Sequence, residues 1–271
     1  MSYDVDKERD EALAWEERKR HLTQPPTIVG PRAMLQAAKI STPFLVPGMI
    51  PAGAITLMVG EPGAKKSWLA YGLAIATAQG GKWLGRATTP QGASRNVLIL
   101  NYDNPTNECG RRFARLGMAE DDPIYFHSVD VDPLRLPTHA DDVLAIAQAL
   151  RPSLVVIDSL RQAHDADENS SKEMAAVMSS FKALRSGGCS VVIVHHAGKS
   201  ALTMSAVGSA RGSGEIVASA DAQINVAKSE QDDIDVAVWA KHRSWPMPMA
   251  DESLEFEVAD DGDATHVRIP R

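Results

Sequence analysis

The apolar residues of this chain fall into short unbroken runs separated by longer stretches with helical spacing. Runs of about five residues rich in Val, Ile and Leu, bounded by Gly, Pro or Asp, mark strands buried on both faces. They occur at 54–59, 96–100, 124–128, 154–157 and 190–194. Between them, 68–78, 106–116, 141–150 and 171–185 predict helices; in 141–150 the apolar positions are Val143, Leu144, Ala147 and Leu150. Later apolar runs at 222–226, 234–240, 253–258 and 265–269 follow one another through turns with no helical segment between them. Alternating strands and helices imply a mostly parallel sheet covered on both faces, and the late strands an antiparallel extension at one edge. The class is therefore α/β, with one large domain over residues 43–271.

Residues 1–42 differ in character and predict a helical arm and linker. Charged residues crowd 5–21, where Leu13 and Trp15 leave only a thin apolar stripe before Pro25 and Pro26 end the helix. Such an arm is either solvated or packed on a neighbouring subunit. Residues 31–54 are punctuated by Pro43, Pro47, Pro51 and Gly53 and predict irregular chain, and the Gly- and Ser-rich stretch 197–214 a loop.

Composition narrows the function. The chain has 271 residues, is 44% hydrophobic and carries a formal net charge of −7. An acidic chain is no general polyanion binder, so any grip on nucleic acid must come from local basic loops. Its two cysteines, Cys109 and Cys189, share no metal-ligand spacing and make no disulfide framework. The charged N-terminus is unlike a signal peptide, and no apolar run approaches the roughly 20 residues that span a bilayer. These features predict a cytoplasmic protein without a membrane partner.

The candidate chemistry begins at Gly60-Glu61-Pro62-Gly63-Ala64-Lys65-Lys66-Ser67-Trp68. It follows a predicted strand and opens a predicted helix, as a phosphate-binding loop must. The pattern G-x-x-x-x-G-K-[ST] is met except at Lys65, where its last glycine belongs. Gly60 and Gly63 let the backbone curl so that its N–H groups face an anion, and the helix N-terminus adds positive potential. Lys66 would pair the β- and γ-phosphates of ATP, and Ser67 would hold Mg²⁺. Lys65 adds bulk and a further positive charge.

Further candidates stand at strand ends, where ligands of α/β sheets bind. Asp158 ends an apolar strand in the manner of a Walker B acid, a second Mg²⁺ ligand beside Ser67. Asp103 follows 96–100 and is placed to orient the attacking water. His195 and His196 end another strand, suited either to sensing the γ-phosphate or to a structural or metal-binding role.

In order along the chain, these motifs resemble the RecA-fold ATPases of the DnaB type, most closely the compact group that includes plasmid RepA replicative helicases. The resemblance spans roughly 46–243. It rests on Val46-Pro47-Gly48-Met49-Ile50-Pro51-Ala52-Gly53, the phosphate loop, the acid after the second strand, and Asp158-Ser159-Leu160 through Asp167-Glu168-Asn169-Ser170. Val194-His195-His196-Ala197-Gly198-Lys199 and Arg211-Gly212-Ser213 complete it. It implies a RecA-like domain that hydrolyses Mg-ATP as a homo-oligomeric ring on single-stranded DNA. It implies Asp103 where the group has a glutamate one methylene longer, and His196 as the sensor. Lys241 and Arg243 resemble the Lys-x-Arg pair inserted into a neighbour's site; a solvated basic turn is the plainer reading. Lys199 and Arg211 would be the basic residues of a DNA-contacting loop that carries no aromatic residue to stack bases. A nucleotide-gated scaffold without unwinding activity is the rival expectation.

Overall fold

The computed structural model describes residues 30–37, 43–90, 94–128, 130, 134–186, 188–197, 210–228, 234–242, 253–262 and 264–270. The chain divides into two compact units, Met1–Ser41 and Thr42–Arg271. In the first, one helix is described, α1 (Pro31–Ala37), with Met34 and Leu35 both exposed. The predicted helix over 5–21 lies outside the described residues.

The second unit opens on a hairpin, β1 (Phe44–Val46) and β2 (Ile50–Pro51), paired antiparallel. This hairpin and α1 correct the expectation of irregular chain over 31–54. Pro31 sits at the start of its helix, where the missing N–H costs nothing, and Pro51 ends a strand. Next come β3 (Ile55–Gly60), buried throughout, and α2 (Lys66–Gln79), which ends at Gly80 in the left-handed conformation. A small hairpin, β4 (Lys82–Trp83) and β5 (Arg86–Ala87), seats the buried Trp83, whose indole N–H donates to the Leu69 carbonyl at 3.1 Å.

The alternating portion continues with β6 (Val97–Asn101), α3 (Thr106–Arg115), β7 (Ile124–Ser128), α4 (Ala140–Leu150), β8 (Leu154–Asp158), α5 (Ser171–Ser186) and β9 (Ser190–His196). A short helix, α6 (Gly214–Ser219), is capped by the Ser213 hydroxyl and starts inside the stretch expected to be loop. The antiparallel part is β10 (Ala222–Lys228), β11 (Ile234–His242), β12 (Ser253–Asp260) and β13 (Thr265–Arg268).

These strands make one nine-stranded sheet in the order β13-β12-β11-β10-β3-β9-β8-β6-β7. From β10 through β3, β9, β8 and β6 to β7 every pairing is parallel, and from β10 outward to β13 every pairing is antiparallel. The fold is the RecA-like α/β sheet with an antiparallel edge. The period of two along each strand divides its apolar residues between two cores. Val156, Val192 and Val194 join α2 and Phe113 on one face; Val155, Ile157, Val191 and Ile193 join α4, α5 and α6 on the other. Among the described residues no helix is long and apolar enough to cross a membrane.

The parallel register sets one end of the sheet as the functional end. Gly60 lies opposite His196, and Asp158 opposite both Asn101 and Val194. β9 runs on through both histidines and β11 through Lys241, beyond their apolar runs. Strand pairing is a backbone bond and continues past a change in side-chain polarity.

Candidate nucleotide site

The loop between β3 and α2 is shaped by two close constraints. A Cβ at Gly60 would stand 2.1 Å from the Val226 carbonyl oxygen of β10, so only glycine permits that strand pair. Gly63 has φ +81°, the left-handed region that glycine enters freely. The Ala64 N–H donates to the Glu61 carbonyl at 3.2 Å and closes the turn. Lys65, at φ 51° and ψ 21°, is the left-handed residue before the helix.

Lys66 opens α2 and is almost fully buried. Its ammonium donates to the carbonyls of Gly60 at 3.0 Å and Glu61 at 2.8 Å. Burial pulls its pKa below the ordinary lysine value, against the opposing fields of Asp158, Asp103 and Glu61. Those carboxylates oppose the loss of charge that burial favours.

Asp158, at the end of β8, is 1% exposed. Burial pushes its carboxyl above the ordinary range, and hydrogen bonds from Tyr71 and Ser67 oppose that. The Tyr71 hydroxyl donates to Oδ2 at 2.7 Å, while Oδ1 is buried and has no hydrogen-bond partner among the described residues. The orphaned carboxylate oxygen and the hydroxyl of Ser67, which hydrogen-bonds the same carboxylate, make a donor set of hard oxygens, which fits Mg²⁺.

Pro62, Gly63, Lys65, Lys66, Ser67, Trp68, Asp103, Asn104, Arg112, Asp158, Ser159, Val194 and His196 surround one cavity of about 310 Å³. Asp103 stands exposed at its rim. His196 lies in its wall, and its Nδ1 has no hydrogen-bond partner among the described residues. Burial and the Lys66 cation lower its pKa, so the ring is neutral at pH 7. His195 points elsewhere. It is wholly buried, its Nε2 donates to the Arg211 carbonyl at 2.8 Å, and burial lowers its pKa to about 4. The two histidines thus divide into one facing the cavity and one holding the chain beyond β9. No group of His, Cys, Asp and Glu among the described residues could hold a metal ion by itself.

A family described as an AAA domain matches residues 32–201, more than half of the chain and every strand from β1 to β9. The chain belongs to this AAA family. It is a P-loop ATPase, and the Gly60–Ser67 loop and the Asp158 carboxylate both lie within the matched residues.

Most of the sequence-predicted residues of the AAA domain meet in this cavity, but not all. Arg211 does not line it. Its side chain is exposed, with Nε 3.5 Å from a carboxylate oxygen of the buried Glu168. Lys241 lies on β11 opposite Gln223, which in turn pairs with Leu57 of β3. That puts its backbone three residues, roughly 10 Å, back along the strand direction from Gly60 and two strands across. Lys199 and Arg243 lie outside the described residues.

Two contributors carry no motif. Tyr71 stands four residues after Ser67, one turn along α2, so the same helix face presents both to Asp158. Arg112 of α3 lies 5.7 Å from the centre of the Trp68 ring and pairs with Glu108. Lys65, Trp68 and Arg112 also wall a second cavity of about 280 Å³, with Arg111, Arg115 and Thr265. The only sequence signal for Arg112 is the run of arginines on one predicted helix.

Proposed function

We propose that this AAA domain is a Mg²⁺-dependent ATP hydrolase that acts as a homo-oligomer on single-stranded DNA. The observation that carries hydrolysis is the meeting of Lys66, Ser67, Asp103, Asp158 and His196 in one cavity at the ends of four strands. As ATP enters, the Lys66 ammonium exchanges the carbonyls of Gly60 and Glu61 for β- and γ-phosphate oxygens. Loop N–H groups take up the remaining phosphate charge. Ser67 and Asp158 Oδ1 would hold Mg²⁺, which when bound neutralises charge that develops on the phosphates. Asp103 accepts a hydrogen bond from the attacking water, and neutral His196 reads whether a γ-phosphate is present.

Two features support the larger reading. The backbone position of Lys241 sets it back from its own phosphate loop, which suits a pair, Lys241 and Arg243, serving a neighbouring subunit. The Arg211 N–H donates to the His196 carbonyl at 3.0 Å, so the sensing strand is bonded directly to the end of the segment that carries Lys199. The resemblance to DnaB-type ATPases supports single-stranded DNA as the polymer. Asp103 favours a second reading, a nucleotide-gated scaffold with slow turnover, because its carboxylate is short and lies at the open rim.

ATP turnover with and without magnesium, and with and without single-stranded DNA, decides among these. Hydrolysis that needs Mg²⁺, vanishes in Lys66→Ala and rises with DNA is the expected result. Wild-type ATP affinity in Lys66→Ala sinks the nucleotide site, and turnover indifferent to DNA favours the scaffold.

A further inference from the structure

Lys65 is the one departure from the phosphate-loop pattern, and its backbone takes the left-handed turn that a glycine would take. For a lysine that conformation is strained, so something nearby must hold it. Its ammonium lies 3.2 Å from a carboxylate oxygen of Asp235, whose side chain is 3% exposed. Asp235 is the second residue of β11 and pairs across the sheet with Lys228, the last residue of β10. The Lys228 ammonium in turn stands so near the loop that a Cβ on Gly63 would be 3.2 Å from it. The end of β10 and the start of β11 therefore bear on the phosphate loop at two points. A buried carboxylate must be paired, because an isolated buried charge is costly.

We propose that Lys65 is a positioning residue: drawn onto Asp235, its ammonium pins the phosphate loop to β11 in the curve that receives nucleotide, without itself binding the phosphates. This rests on the reading of Gly60–Ser67 as the ATP site. Asp235 then governs nucleotide affinity from a strand that touches no phosphate. The tether takes the place of the glycine: the loop keeps its left-handed turn because the ion pair holds it.

The test is calorimetric titration with Mg-ATP, and thermal melting without nucleotide, of the wild type, Asp235→Asn, Lys65→Gly and the double variant. Asp235→Asn is expected to raise the Kd for ATP on the order of tenfold and to lower the melting temperature. Lys65→Gly alone leaves the carboxylate buried without its cation and melts lower still. In the double variant, glycine takes the turn unaided and asparagine needs no counter-charge, so affinity returns to within about twofold of wild type. A lysine that gripped phosphate directly gives the opposite signs: Asp235→Asn tightens ATP binding, and the double variant binds as weakly as Lys65→Gly. Either result, or unchanged affinity in all three, overturns the proposal. Asp235→Ser replaces Asp235→Asn if the latter does not fold. A wild type that binds no ATP overturns the nucleotide site itself, and the positioning role with it.

Discussion

Tyr71→Phe removes one oxygen atom from the centre of the site. Tyr71 is fully buried and its ring stacks on Phe113, centroids 4.7 Å apart at 25°. Phenylalanine keeps that packing and loses the 2.7 Å bond to Asp158 Oδ2 together with a weak 3.9 Å contact to the Cys109 thiol. A hydrogen bond to a buried charged group is worth about 1.5–3 kcal/mol. At about 2–4 °C per kcal/mol for a domain of this size, the melting temperature falls by roughly 3–12 °C. A second effect separates this from loss of packing. Without the phenol, the Asp158 carboxylate keeps only the Ser67 hydrogen bond, and the direction of Oδ1 is held less firmly. The magnesium concentration for half-maximal turnover then rises several-fold, while turnover at saturating magnesium changes little. Melting curves at pH 7 and magnesium titrations at saturating ATP measure the two effects. A variant with wild-type melting and a wild-type magnesium requirement refutes the claim that Tyr71 orients Asp158.

His195 has a folded-state pKa near 4, below the ordinary 6.5, because burial disfavours the imidazolium. Its contribution to stability is therefore complete above pH 6.5 and is lost as pH falls toward 4, up to roughly 3 kcal/mol. Melting at pH 7 and pH 4.5 should show a smaller loss in His195→Asn than in wild type, and equal losses would refute the assignment. Arg243→Ala should bind ATP almost normally yet hydrolyse it at least tenfold more slowly, and should regain activity when mixed with Lys66→Ala under conditions of subunit exchange. Mixtures that stay inactive despite proven exchange refute action in trans.

What the sequence discloses is set by the range of the interactions. The phosphate loop is a local object: strand, turn and helix in consecutive residues, readable from Gly60, Gly63 and Lys66 alone. Asp158 and His196 are readable because apolar runs stop at them and a parallel sheet brings such ends to one side. The insertion of β9 between β3 and β8 is not readable, since nothing in an apolar run names its neighbours. Tyr71 is hidden for the same reason: it is an unremarked helix residue whose partner lies 87 positions away. The bulk assigned to Lys65 was legible, but the Asp235 that receives it was not. Helix α6 was missed because its Gly- and Ser-rich approach reads as loop, although Ser213 is the cap that starts it.

The place of β3 in the sheet has a consequence for synthesis. Its two neighbours are β9 and β10, the sixth and seventh strands to follow it in the chain. A chain leaving the ribosome thus carries its phosphate loop exposed, on a strand with unpaired edges, until residue 228 has emerged. At about 5–20 residues per second that interval is on the order of ten seconds or more. The catalytic loop, made early, is among the last parts to acquire its form. A nascent chain stalled before β10 should expose an apolar strand edge instead of a nucleotide site, and so be a client for chaperones.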